Sequence, residues 1–209
     1  MQGTISNYEV MKQSMAGAFL TYDQKTMINK FMLESDPLWI YMTFVGRRYR
    51  IGRDKGNVQW TEDDFHTVYE ADYNEAMTIY DVLCYAKEGC HLAHEWVNVN
   101  SLSTVKTGNL MQDAGFFQST ADFFQGKVEK LRRACLRLSG KSLEKGDLAF
   151  ELELFPFVPV VLRYWESDDE FPAALQILLD RNILDYMHYE TVMFALIHLF
   201  KRLKEEMQK

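Results

Sequence analysis

The stretch that most limits what this chain can fold into is Leu148-Ala149-Phe150-Glu151-Leu152-Glu153-Leu154-Phe155. Successive side chains of an extended strand point to opposite faces, so Leu148, Phe150, Leu152 and Leu154 share one face while Glu151 and Glu153 share the other. Such a strand is half buried and needs a partner. Phe155-Pro156-Phe157-Val158-Pro159 supplies a turn, because two prolines remove ladder donors, and Val160-Val161-Leu162-Arg163-Tyr164-Trp165 returns as the second arm. An antiparallel hairpin follows.

Earlier in the chain, Leu38 to Val45 (LWIYMTFV), Tyr49-Arg50-Ile51 and Val58-Gln59-Trp60 are separated by Val45-Gly46 and by Asp54-Lys55-Gly56-Asn57, which reads as a three-stranded meander. Helical periodicity from Asn7 to about Met32, with Asp23 as a cap, predicts two short helices. Thr61-Glu62-Asp63-Asp64 has the spacing of a capped helix start, running with one break to Ala86 and closed by Gly89. Trp96 to Val99 is a short extended piece, and a polar loop (NSLSTVKTGN) leads on from it. Phe117, Ala121, Phe124, Val128, Leu131, Cys135 and Leu138 draw one apolar stripe along a long helix capped by Ser119 with Asp122 and closed by Gly140. A last helix spans about His188 to Met207. The expected fold is therefore α+β: hairpins and a meander packed against several helices in one compact domain, with a helical amino-terminal segment at about 7–34 and mixed sheet and helices over 38–209.

The second hairpin arm runs straight into acids: Arg163-Tyr164-Trp165-Glu166-Ser167-Asp168-Asp169-Glu170-Phe171-Pro172. Pro172 suits the first position of a helix through Leu179, and acids beside a helix amino terminus are favoured by its dipole. The run is thus expected to be a helix entry.

With 30 acidic against 23 basic side chains, a net charge of −7 argues against affinity built on neutralising nucleic-acid phosphates, while leaving room for a local basic patch. No segment approaches the roughly 18 apolar residues of a membrane span, and the amino terminus carries no signal-like core. Three cysteines fit reduced thiols. A cytoplasmic protein is expected.

Four constellations could carry chemistry. Arg48 and Arg50 point the same way on a strand and could grip a carboxylate or phosphate, or simply keep an edge hairpin soluble. Asp168, Asp169 and Glu170, next to Trp165, could contact a partner or serve only the chain's entry into a helix. His94 and Glu95 with the same acids could line an enzyme cleft. Cys84, Cys90, His91 and His94 are zinc-type ligands, but the spacing of the thiols departs from common fingers, and buried thiols with surface histidines fit as well. No nucleophile elbow, phosphate loop or dinucleotide fingerprint occurs.

Gly146 to Phe150, Leu154 to Pro159 and Tyr164 to Pro172, with Leu178-Leu179-Asp180 and Leu184-Asp185-Tyr186, resemble a prokaryotic family, number three-seven-eight-six among the domains of unknown function, seen mainly in anaerobes. Weaker likeness lies in Tyr80 to Ala86 and Glu95-Trp96-Val97. The resemblance implies no established activity. It implies an association with redox or corrinoid proteins, since some relatives carry an added cysteine-rich amino-terminal segment suited to an iron–sulfur cluster; here no cysteine precedes Cys84. The resulting expectation is a binding or accessory module for a protein partner or small molecule, with no nucleic acid and no membrane, contacting through Trp165, Asp168, Asp169, Glu170, Arg48 and Arg50. The alternatives are a small-molecule enzyme and a metal protein using Cys90, His91 and His94. No cofactor is assigned.

Overall fold

The computed structural model describes residues 6–102 and 109–209. Alternation of burial builds the first sheet. In β2 (Trp39–Phe44) Ile40, Met42 and Phe44 are buried, and in β3 (Arg47–Gly52) Arg47, Tyr49 and Ile51 are. With β1 (Glu34–Ser35), β4 (Val58–Thr61) and β5 (Tyr69–Glu70) they form an antiparallel sheet ordered β1-β2-β3-β4-β5. Also buried are Phe19 of α1 (Asn7–Phe19), Met27 and Phe31 of α2 (Gln24–Phe31), and Ile79, Tyr80 and Leu83 of α3 (Tyr73–Tyr85). Asp23 caps α2 by accepting from the Lys25 amide, as its position predicts.

The second sheet is ordered β6-β10-β9-β8-β7, all antiparallel: β6 (Trp96–Asn98), β7 (Lys141–Ser142), β8 (Leu148–Phe155), β9 (Val158–Trp165) and β10 (Ala174–Asp180). The predicted hairpin is present, with Phe150 opposite Leu162 and a bulge between Glu153 and Phe155. Pro159 sits in β9 beside that bulge, where a missing donor is tolerated. Helices α4 (Asn109–Phe124) and α5 (Val128–Arg137) pack on β10 and β8 respectively. The last helix, α6 (Tyr189–Glu206), matches the expected span.

The α+β class with antiparallel sheets is what the structure shows. Two compact units each hold one sheet: residues 1–90 with 184–198, and residues 91–183 with 199–209, so that α6 contributes a segment to each.

Three expectations are corrected. Ala174 to Asp180 is a strand, paired with β9 from Ala174↔Trp165 to Leu179↔Val160, and no helix follows Pro172. The apolar run there is short and flanked on both sides by strands, and burial of both faces erases the period that separates strand from helix. Residues 61–72 are not helical: Thr61 ends β4, a loop leads to β5, and α3 starts only after Asp72, whose side chain accepts from the Glu75 amide while Glu75 reciprocates on the Asp72 amide. The long stripe belongs to two helices, separated at Gly126 (φ 71), and Ser119 and Asp122 lie inside α4. The predicted polar loop continues from a short helical turn, Val99–Ser101, and its residues 103–108 lie outside the described residues.

Candidate functional site

The outer face of the first sheet is built from Trp39, Tyr41 and Thr43 of β2, Arg48 and Arg50 of β3, and Gln59 of β4, the residues that alternate with the buried set. Gly52 lies opposite Trp39, and a Cβ there would overlap Asn57 Oδ1 while only touching the Trp39 ring, so the missing side chain makes room for the Asn57 amide. Arg50 lies over that indole at 4.1 Å from its centre. The Phe65 ring centre stands 4.6 Å from the Arg50 guanidinium, whose Nε and Nη2 both donate to Gln59 Oε1 at 3.0 and 2.9 Å. The guanidinium thus stands against two rings while its edge bonds Gln59, which fixes both its position and its orientation.

Phe65 reaches the sheet because the loop after β4 turns back on itself. Asp64 and Phe65 both adopt left-handed backbone, φ 54 and 64, a conformation that costs a side-chain-bearing residue free energy. Thr61 holds it: its Oγ1 accepts from the amides of Asp63 (3.1 Å) and Phe65 (2.9 Å) and donates to Thr67 O (2.8 Å). Asp63 Oδ1 accepts from the Thr67 amide at 2.7 Å. Hydrogen bonds from Thr67, then from Thr61, hold the Asp63 carboxyl down at about 2. The Thr-x-x-Asp spacing therefore caps a loop instead of a helix.

Arg48 lies on the same face as Arg50, as period two requires. Its Nη2 is 2.8 Å from Glu34 Oε2 and its Nη1 3.8 Å from Asp64 Oδ1, with the Tyr41 ring centre 5.3 Å away. All three charged side chains are largely exposed (43%, 68% and 81%), so these pairs contribute little stability.

Of the other predicted positions, Cys84 and Cys90 lie in the first unit, and His91, His94, Glu95, Trp165, Asp168, Asp169 and Glu170 in the second. Trp165 ends β9, and the acids form the loop of the β9–β10 hairpin. Asp168 Oδ1 accepts from the amides of Glu170 (2.9 Å) and Phe171 (2.7 Å), which lowers its pKa, while the Asp168 amide donates to Phe171 O. Asp168 is thus a turn residue, and Asp169 and Glu170 stand exposed. His94 and Glu95 belong to the loop before β6. The buried Asp180 carboxylate organises it, accepting from the amides of Ala93, His94 and Asn182 at 2.8–2.9 Å, with His94 at φ 57. Glu95 pairs with Arg181 at 2.6 Å. Among the described residues no group of three or more His, Cys, Asp or Glu is arranged to hold a metal. Burial pushes the Cys84 and Cys135 thiols up to about 12 and also raises Cys90, so none is primed as a thiolate.

The period of two places Arg48 and Arg50 on one face, as the structure has them, but does not single out Trp39, Tyr41 and Phe65 beside them. The first two alternate in step with the arginines on the adjacent strand, a signal that was available; Phe65 depends on loop geometry. Sequence reasoning also missed a buried chain in the first unit. Tyr49 Oη lies 3.2 Å from His198 Nε2, and His198 Nδ1 lies 3.3 Å from Glu75 Oε1. Arg47 Nη1 is 3.5 Å from the same oxygen, and its Nη2 reaches Glu62 at 3.3 Å. The connectivity is that of an acid–base relay. Tyr49, His198 and Glu75 are at most 1% exposed, however, so no substrate atom meets them and the network orders the core.

These features define an α+β protein with two antiparallel sheets, one presenting an aromatic and arginine face. The chain belongs to the family described as Domain of unknown function (DUF3786), whose model matches residues 23–202. No curated protein and no solved structure matches it.

Proposed function

We propose that the chain is a binding or accessory module for a protein partner, engaged through the outer face of the first sheet. The contact of Arg50 with the Trp39 and Phe65 rings carries this reading. Trp, Tyr and Arg dominate the energetics of protein interfaces, and rings already fixed in place lose little entropy when a partner lands. Arg48 beside them holds its acids only by exposed pairs, so a partner carboxylate can take their place at small cost. The partner surface that fits presents a carboxylate flanked by apolar side chains. Redox and cofactor-handling proteins are the first partners to try, following the family resemblance.

The test is affinity capture from cells of the source with the wild-type chain, Arg48→Glu, Phe65→Ala and a control, Lys209→Glu. The expected outcome is a captured protein lost with the first two variants and retained with the control. A captured set identical in all four, or no captured protein, sets the reading aside.

A second surface is favoured by one observation: Asp169 and Glu170 extend from the hairpin turn beside Trp165 with no ion pair among the described residues. In this reading a basic partner patch docks there, and charge reversal at both acids abolishes capture.

A further inference from the structure

A cavity of about 510 Å³ opens in the first unit between α1 and the strands that follow the β3–β4 turn, within the range of small-molecule sites. Its lining includes the apolar Val58, Ala16 and the Tyr80 ring, whose hydroxyl is spent on Gly56 O at 2.7 Å, together with the polar Gln13 and Asn57. The wall is locked by close approach. Gly56 has φ 71, and a Cβ there would overlap the Ala16 carbonyl oxygen, so turn and helix meet backbone to backbone.

Both signs of charge stand at the rim. Lys12 is fixed by Glu9 at 3.0 Å and by Ala71 O at 3.2 Å. Glu70 gives one oxygen to Gln59 Nε2 at 2.7 Å and keeps the other. Lys55, also on the rim, makes no ion pair among the described residues. A cavity with apolar lining residues, an available ammonium and an available carboxylate oxygen complements a small molecule bearing the opposite pair. We infer that this cleft binds a small zwitterion, one carboxylate and one amine on a short aliphatic frame, with Lys55 taking the carboxylate and Glu70 the amine. One wall, α1, precedes the residues matched by the family model, so the site is completed by a segment from outside the shared region.

Gly17 provides a discriminating variant. It lines the cleft within α1, and a side chain added there meets nothing within 4 Å. Gly17→Met adds bulk at the lining of the cleft while improving helix propensity, by about 1 kcal/mol for a glycine replaced in a helix interior. The experiment is an amide-shift titration of the isotope-labelled full chain with glycine, β-alanine, γ-aminobutyrate and glutamate, and with butyrate and butylamine as singly charged controls. At least one zwitterion is expected to give saturable shifts in α1 and in residues 55–58. Lys55→Met and Glu70→Gln should each weaken it about tenfold, the size of a lost charge-assisted hydrogen bond, and Gly17→Met should abolish it without lowering the melting temperature. The inference fails if no zwitterion saturates, if butyrate or butylamine binds equally well, or if Gly17→Met binds like wild type.

Discussion

At the scale of single residues, the positions that matter most are side chains accepting several backbone donors. Asp180 is the clearest: three amides converge on a carboxylate that is 3% exposed. Asp180→Asn keeps the shape but turns an N–H donor toward one of those amides, leaving that amide buried and unanswered. A loss of about 1–3 kcal/mol is expected from urea unfolding, together with faster amide exchange at Ala93 and His94. Unchanged stability would show that water satisfies those amides. Nothing near Leu178-Leu179-Asp180 advertises this role, because two of the three amides come from a loop more than eighty residues earlier in the chain.

At the scale of elements, the loop of residues 61–68 sets the aromatic face. Thr61→Val keeps the volume and removes the hydroxyl that holds Asp63, Phe65 and Thr67, at an expected cost of about 1–3 kcal/mol. Phe65 should then lose contact with Arg50, read as a loss of order at that ring by NMR. Asp63 adds a pH dependence of definite sign. Its folded pKa, about 2, lies below the ordinary 3.8, so its contribution is complete above about 4 and disappears as pH falls through 2. Amide protection of Phe65 and Thr67 should follow that course, and protection that is flat from pH 5 to below 2 would contradict it. Elements were legible where one face meets solvent: β8 with β9, the meander, the Asp23 cap and the last helix all follow from alternation or period. They were illegible where that contrast vanishes. β10 has strands on both sides, and the Thr61 signature serves helix and loop alike until the chain's later course decides. At the candidate site the shared face of the arginines could be read from their spacing, but the contact of Arg50 with Phe65 could not, since that ring hangs from a loop with left-handed backbone.

At the scale of the whole molecule, no helix among the described residues is long and apolar enough to cross a membrane. Each unit owns two tryptophans, Trp39 and Trp60 in the first and Trp96 and Trp165 in the second. Because α6 is continuous through His198 and Leu199, neither unit can unfold without ending a helix that the other uses. A single cooperative transition is expected. Replacing one pair of tryptophans with phenylalanine makes fluorescence report the other unit, and the two urea curves should coincide. Midpoints that separate would show two independent folding units.

His198 stands next to that junction, sealed beneath Phe44 and between Tyr49 and Glu75. A proton from solvent has no route to such a ring except through a transient opening of the core. Its response to a sudden acid jump would therefore be timed by the protein's breathing rather than by diffusion, making this imidazole a built-in clock for how often the first unit comes apart.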